Sequence, residues 1–218
     1  MPSENFKSRL EEKISNGREY RNTHEIEVRA GTDDKKKIVR GYASTFNEPY
    51  LLYDWGDYKV YERIDSHAFD DCDMEDVIMQ YDHEGRVFAR RSNKTLEVST
   101  DEHGLYIEAD LGGTEIGRQL YQEIEGGYTT KMSFGFRVAE DKREYVEDYE
   151  NNTTTVIRTI TKISKLYDVS AVSLPANDAT EISARSVSDG LIAELQAERL
   201  EARNRKIEFL KLLLEVNS

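Results

Sequence analysis

The sequence predicts a β-rich α+β fold, because short segments of alternating apolar and polar residues dominate it. The clearest is GLYIEAD (104–110), in which Leu105, Ile107 and Ala109 alternate with Tyr106, Glu108 and Asp110, as in a half-buried strand. The turn-like DEHG (101–104) separates this segment from the strand pattern before it. A helical period of apolar residues interrupts the strand patterns at one internal segment, so the strands form most of the predicted core.

The predicted strands follow one another along most of the chain, from about Glu25 onward. A loop rich in Tyr, Asp and Gly is predicted for 47–59, a helical turn for SHAFDD (66–71) and a charged hairpin tip for 140–152. The strand patterns are HEIEVRA (24–30), KKIVRGYASTF (36–46), VYERI (60–64), VIMQYDH (77–83), TLEVST (95–100), GLYIEAD (104–110), KMSFGFRV (131–138), TTTVIRTITKIS (153–164) and LYDVSAVSL (166–174).

Three helices are predicted. The internal one runs from Thr114 to about Glu125 and is stopped by Gly126 and Gly127. A short helix is expected at 3–17 and a long one, capped by Ser188, over 191–216. The polar middle of the long helix leaves two interpretations open: it packs on the domain, or it projects toward a partner. The predicted units are an N-terminal helical extension (1–22), a central domain (23–180), and a linker with the C-terminal helix (181–218).

Composition excludes several function classes. The 218 residues carry 43 acidic against 30 basic side chains and a net charge of −13, which disfavours direct binding to nucleic acid. No apolar run is long enough to span a bilayer and no leader pattern is visible, so we expect a cytoplasmic protein that does not bind membranes. Without a glycine-rich phosphate loop, a cysteine pair or clustered histidines, the sequence predicts no cofactor and no metal.

Three dispersed residues, Ser133, His83 and Asp168, have the chemistry of a nucleophile, a base and a group that orients the base. On a strand, Ser133 faces away from the apolar side of KMSFGF, and Gly135 beside it is expected to leave space for a substrate. His83 is expected at the end of a buried strand, where it is partly desolvated yet reachable. Asp168 lies in an apolar strand and needs a partner there.

Other interpretations of these residues are open at this stage. Ser133 is an ordinary surface hydroxyl in the simplest interpretation, His83 a core-edge histidine, and Asp168 a buried structural aspartate. A Ser–Lys pair using Lys131, which shares the strand face of Ser133, is a weaker alternative because Lys131 must lose its proton. The α/β-hydrolase elbow is excluded, since Lys131 stands where that motif has its first glycine.

Six segments together resemble the prohead (capsid-maturation) serine protease family of tailed bacteriophages, which is related to the herpesvirus assembly proteases. The resemblance extends from about Glu25 to Ala179. It is carried by RGYASTFNEP, YERIDSHAF, VIMQYDHEGRVFAR, TLEVSTDEHGLYIEADL, GRQLYQEIEGGYTTKMSFGF and YDVSAVSLPANDA, in this order.

The resemblance implies a serine protease on a herpesvirus-protease-like β-barrel with flanking helices. Ser133 is the implied nucleophile, His83 the implied base and Asp168 the third member, at a place where the family usually has an acidic residue, often glutamate. The herpesvirus relatives use a histidine as third member, which makes His67 and His103 the rivals of Asp168.

The resemblance also implies the biological role. It implies an endopeptidase in the host bacterial cytoplasm, inside the assembling procapsid, whose partners are the phage major capsid protein and its scaffold segment. The enzyme would cleave the scaffold, or the scaffold-like segment of the capsid protein, and itself, and it is expected as a homodimer or higher oligomer. The alternative is a non-catalytic assembly factor that retains the fold.

Overall fold

The computed structural model describes residues 18–28, 36–54, 56–148, 150–151 and 153–173, with residues 197, 200–201, 203–208 and 211 further on. In these ranges the chain forms ten strands and one internal helix. Their bounds are β1 Glu19–Val28, β2 Ile38–Thr45, β3 Tyr50–Asp54, β4 Tyr58–Ile64, β5 Ile78–Tyr81, β6 Glu84–Arg90, β7 Leu96–Thr100, β8 Gly104–Asp110, α1 Glu115–Glu125, β9 Lys131–Asp148 and β10 Thr153–Val172. The prediction of a strand-rich chain is confirmed.

The strands form one mixed sheet in the order β3-β4-β10-β9-β1-β2-β8-β7. Strand β10 is long enough to hold two neighbours on one edge: its first half pairs in parallel with β4, and its last residues pair in parallel with β5. Strand β5 then continues into the antiparallel β6. The β5–β6 hairpin therefore lies next to the carboxyl end of β10, which is where Asp168 is found.

The β9–β10 hairpin is the longest element and corrects two predictions. Residues 140–148 belong to β9 and pair with β10 as far as Thr153, so the predicted charged tip is mostly strand. The patterns predicted as separate strands at 153–164 and 166–174 are joined: residues 153–172 form the single strand β10, which has several register shifts but does not end. The loop predicted for 47–59 is also partly wrong, because residues 50–54 form β3 against β4.

Helix α1 matches its prediction closely. The Thr114 hydroxyl accepts a hydrogen bond from the backbone N–H of Gly117, and Gly126 ends the helix with N–H bonds to the last carbonyls. The buried face consists of Gly117, Leu120, Tyr121 and Ile124. The helix follows β8 along the chain, and its buried apolar side chains belong to the hydrophobic core.

The hydrophobic core lies on the face of β9 that carries Met132, Phe134 and Phe136. All three are fully buried, and the rings of Phe134 and Phe136 are stacked with their centroids 4.6 Å apart. Burial of such side chains contributes roughly 1.5–3 kcal/mol each relative to exposure. The alternation predicted for KMSFGF therefore holds, and Ser133 and Gly135 lie on the opposite face.

A buried cluster of ion pairs joins strands that are not neighbours in the sheet. Glu62 on β4 accepts hydrogen bonds from Arg21 on β1, at 2.5 and 2.8 Å, and from Arg158 on β10, at 2.7 Å. Arg158 also donates to Glu19, at 2.8 Å. Because β1 and β4 are three positions apart in the strand order, these contacts require a strongly curled sheet.

The curl does not close the sheet. In the described ranges β3 and β7, the two ends of the strand order, do not pair with each other, so the closed β-barrel that the resemblance implied is not confirmed. A barrel requires every edge strand to find a neighbour, and these two edges are left open.

The predicted terminal helices lie largely outside the described residues. The helix expected at 3–17 falls there entirely, as does most of the helix expected over 191–216, although residues 203–208 within it are helical. Strand β1 begins at Glu19, so it crosses the boundary at 22/23 drawn from the sequence. None of the helices in the described part is long and apolar enough to cross a membrane.

Candidate active site

His83 lies in a tight turn between β5 and β6. The sequence suggested the end of a strand, but Tyr81 pairs with Glu84, and the two residues between them form the turn. Asp82 (φ 47°) and His83 (φ 60°) both have positive φ, as type I′ hairpin turns require. A left-handed conformation costs roughly 1–3 kcal/mol for a residue other than glycine, and such strain is often found at functional sites.

Asp82 fixes this turn to the end of β10. Its carboxylate accepts hydrogen bonds from the backbone N–H and the hydroxyl of Ser173, both at 3.0 Å. The backbone N–H of Asp82 donates to the carbonyl of Ala171 at 2.9 Å. These three bonds hold the backbone that carries His83 against the strand that carries Asp168.

Two adjacent rows of residues across the sheet supply the other side chains. In the first row Ser133 on β9 is paired with Ser170 on β10, and in the second row Gly135 is paired with Asp168. All four residues lie on the face opposite the phenylalanine core. The antiparallel register therefore brings a hydroxyl and a carboxylate from distant segments to the same patch, under the β5–β6 turn.

His83 bridges Ser133 and Asp168. Its Nε2 lies 2.5 Å from Oγ of Ser133, and its Nδ1 is hydrogen-bonded to Oδ1 of Asp168. Because an ionised carboxylate only accepts, Nδ1 carries the proton and Nε2 is free to accept from the serine hydroxyl. The hydroxyl of Ser170 donates a further hydrogen bond to Oδ1 of Asp168 at 3.0 Å.

Neighbouring charges and hydrogen bonds favour an ionised Asp168 in spite of its burial. The residue is fully buried, and burial alone would raise the pKa of its carboxyl. The charge and hydrogen bond of His83, the hydrogen bond of Ser170 and the charge of Arg18 outweigh burial, so the pKa lies below its ordinary value. Ser133 is fully buried as well, whereas the His83 side chain is 14% exposed.

The beginning of β1 completes the site. The ring of Tyr20 packs against the His83 ring with centroids 4.3 Å apart, and Nη1 of Arg18 lies 3.9 Å from Oδ2 of Asp168. A Cβ at Gly135 would contact Oδ2 of Asp168 and would lie 2.7 Å from Cε1 of Tyr20. The space beside Gly135 is therefore filled by these two side chains, and the expectation that it is left for a substrate is wrong.

The rival residues lie elsewhere or make other contacts. The Ser133 hydroxyl is in contact with His83, and this contact does not involve Lys131 of the alternative Ser–Lys pair. The His67 side chain is 80% exposed, with Nδ1 3.1 Å from Oδ2 of Asp70. The His103 ring packs on Tyr42 with centroids 4.4 Å apart. The histidine that contacts both Ser133 and Asp168 is His83.

Comparison with known families identifies the chain. A family model described as Caudovirus prohead serine protease matches residues 24–192, more than half of the chain. The chain belongs to the prohead serine protease family. No curated protein and no solved structure matches it significantly. Membership shows a serine protease in general, with a role in capsid maturation in the assembling procapsid and an association with phage capsid proteins.

The match of the prohead protease model encloses Ser133, His83 and Asp168 but begins after Arg18 and Tyr20. Sequence reasoning missed both of these residues, because no alternation before residue 24 marks them as part of a strand. It also missed the bond between Asp82 and Ser173, since residues 91 positions apart carry no local signal of contact. Among the described residues, no group of three His, Cys, Asp or Glu side chains is placed to hold a metal ion.

Proposed function

We propose that the chain is a serine endopeptidase in which Ser133 is the nucleophile, His83 the general base and Asp168 the group that orients His83. The observation that carries the proposal is the pair of contacts made by one imidazole, with Ser133 Oγ on Nε2 and Asp168 on Nδ1. This is the geometry that acyl transfer by a serine hydroxyl requires. Family membership makes the scissile bond a peptide bond.

In the proposed reaction, neutral His83 takes the hydroxyl proton of Ser133 on Nε2 while Oγ attacks the peptide carbonyl carbon. The tetrahedral intermediate collapses when His83 returns this proton to the leaving amine, which leaves an acyl-serine. Water, deprotonated by His83 in the same way, then hydrolyses the ester and regenerates Ser133. Asp168 holds the Nδ1–H tautomer throughout and stabilises the imidazolium by its charge.

The burial of Ser133 has a consequence for this reaction. A peptide carbonyl can reach a fully buried Oγ only after neighbouring groups move, so the reaction includes an opening step before chemistry.

The proposed substrates are the scaffold, or the scaffold-like segment of the major capsid protein, and the enzyme itself. This proposal is supported by family membership. It is also consistent with a net charge of −13, which favours recruitment by a basic segment of a capsid or scaffold protein over binding to DNA.

Co-expression with the cognate capsid protein tests the proposal. Wild type is compared with Ser133→Ala and with Ser99→Ala, a matched serine that is exposed on β7. Intact mass of the capsid protein and of the enzyme should show cleavage with wild type and Ser99→Ala, and none with Ser133→Ala. Processing that continues unchanged with Ser133→Ala would refute the assignment.

The same experiment addresses the alternative of a non-catalytic assembly factor, which the burial of Ser133 favours. That alternative predicts normal particle assembly and uncleaved capsid protein in all three samples. Labelling of purified protein by a fluorophosphonate adds a substrate-independent readout. Adduct mass on the tryptic peptide containing Ser133 supports the protease, and its absence in the presence of capsid protein supports the assembly factor.

A further inference from the structure

We propose that Tyr20 and Arg18, at the start of β1, are positioning residues that hold the His83–Asp168 pair in its working geometry. The proposal rests on the proposed function, because it concerns the same three groups. It adds two residues that precede the segment matched by the family model. Tyr20 contacts His83 and Arg18 approaches Asp168, so each acts through one member of the pair.

Tyr20 acts through the shape of its ring. The side chain is 3% exposed, and the ring contacts that of His83 at an interplanar angle of 59°. The register of β1 on β9 places Tyr20 beside Gly135, where the missing Cβ makes room for the ring. An imidazole that is fixed by a single hydrogen bond at each nitrogen can still rotate about the line that joins them. The tilted Tyr20 ring in contact with it restricts this rotation.

The Tyr20 hydroxyl is not required for this role. It is buried and lies near the Arg18 guanidinium, but it makes no hydrogen bond of good geometry in the described part of the chain. Burial, together with the charge of Asp168, raises the pKa of Tyr20 to about 12, so the group is neutral at physiological pH. Replacement by phenylalanine therefore preserves everything that the proposal needs.

Arg18 acts through its charge. Oδ1 of Asp168 is used by His83 and Ser170, whereas the buried Oδ2 has no hydrogen-bond partner among the described residues. The Arg18 guanidinium is the cation that approaches Oδ2, and it is held in place by stacking on the Tyr167 ring, 3.6 Å from the centroid. A buried carboxylate oxygen without a hydrogen bond is costly, and a fixed cation at this distance offsets part of that cost.

Charged or titratable groups in the described part of the chain approach the His83–Asp168 pair from two elements. Arg18 and Tyr20 approach from β1, and Glu84 lies on the β5–β6 hairpin beside His83. Since Arg18 is the cation in this set that approaches Asp168, its removal should favour protonation of the pair. The acid limb of the pH profile of kcat/KM is then expected to move to higher pH.

Kinetics on a peptide spanning the capsid cleavage site test the role of Tyr20. We expect Tyr20→Leu to lower kcat roughly tenfold or more with KM nearly unchanged, and Tyr20→Phe to stay within about twofold of wild type. Thermal unfolding of each variant identifies a loss that comes from misfolding. Wild-type kcat in folded Tyr20→Leu, or an equal loss in Tyr20→Phe, would overturn this role.

The pH profile tests the role of Arg18. Arg18→Gln should shift the acid limb by about 0.5 pH unit to higher pH, with Arg18→Lys showing a smaller shift. The control is Arg118→Gln, an exposed arginine on α1 whose partner is Glu115. Superimposable acid limbs for wild type and Arg18→Gln would overturn this role.

A spectroscopic readout separates failure of this proposal from failure of the proposed function. The chain has four histidines, so nitrogen-15 labelling of histidine gives four imidazole spectra, and His83→Ala assigns the one of interest. We expect a low-field Nδ1 proton for His83 in wild type and Tyr20→Phe, broadened or shifted in Tyr20→Leu and Arg18→Gln. If the wild type cleaves no substrate and the spectra of Tyr20→Leu and Arg18→Gln still change, the positioning role is supported and the protease proposal fails. If the spectra do not change, the positioning role is refuted.

Discussion

Gly135 on β9 is paired directly with Asp168 on β10, and the carboxylate of Asp168 occupies the place where a Cβ of residue 135 would lie. On its other side the same place is bordered by Cε1 of Tyr20, at 2.7 Å. The absence of a side chain at Gly135 therefore lets two strands bring their functional groups against one histidine.

Gly135→Ala should consequently damage the site more than the fold. The added methyl must displace Asp168 or Tyr20, and overpacking of this kind costs about 1–3 kcal/mol of unfolding free energy. We expect kcat to fall roughly 100-fold, because displacement of about 1 Å at a catalytic group has this effect. Gly113→Ala is the matched control, since a Cβ there meets no atom within 4 Å. Equal kcat for Gly135→Ala and wild type would contradict the packing described.

Asp168→Asn should reduce kcat on the order of 10⁴-fold while leaving KM within about threefold, since an amide cannot hold the Nδ1–H tautomer by charge. Ser170→Ala removes a single hydrogen bond to the same carboxylate and should cost about tenfold or less. Steady-state kinetics on one peptide substrate compare the two variants. A larger loss in Ser170→Ala than in Asp168→Asn would mean that Asp168 is not the orienting group.

The two-residue period of KMSFGF and LYDVSAV was sufficient to place Ser133 and Asp168 on polar positions of strands. Their meeting depends on the register of β9 against β10, in which bulges shift the pairing several times. Alternation within one strand is a local property, whereas register is set by contacts across the sheet. The strand face on which Ser133 and Asp168 lie was therefore predictable from the residue pattern. That the two residues meet was expected only from the resemblance to the family.

Other predictions from the sequence were wrong for related reasons. Residues 140–148 are mostly exposed on both faces, so they show no apolar alternation, and their strand is formed by pairing with the other arm of the hairpin. The alternation of apolar residues in VIMQYDH predicted that His83 lies at the end of a strand, but His83 lies in a two-residue turn that reverses the chain. Whether the sheet closes into a barrel depends on the pairing of its edge strands, β3 and β7. The residue pattern of neither strand specifies which strand it pairs with.

Asp82→Ala tests the turn that carries His83. The substitution removes two hydrogen bonds to Ser173, and alanine tolerates positive φ less well than aspartate does. We therefore expect a roughly tenfold lower kcat. Asp82→Asn keeps the tolerance for positive φ and one acceptor and should be intermediate. Asn47→Ala, at φ 59° outside the site, should lower the melting temperature but not kcat. If both alanine variants lose kcat equally, the turn at Asp82 has no special link to the site.

The buried ion cluster predicts how stability depends on pH. Burial alone would raise the pKa of Glu62, but the charges of Arg21 and Arg158 lower it from 4.5 to about 2. The unfolded chain thus binds a proton at higher pH than the folded chain does. The stabilisation from Glu62 is complete above about pH 5 and is lost as pH falls toward 2, with a loss on the order of 3 kcal/mol. Urea unfolding at pH values between 7 and 2.5 measures it.

Glu62→Gln isolates this contribution from that of the other carboxylates. At pH 7 the variant leaves the buried Arg21 and Arg158 with Glu19 as a shared carboxylate but without Glu62, which should lower the free energy of unfolding by up to about 3–5 kcal/mol. Between pH 5 and pH 2.5 its stability should fall less steeply than that of wild type, because the titrating group has been removed. Parallel curves for the two proteins over this range would show that Glu62 is not the carboxylate responsible for acid sensitivity.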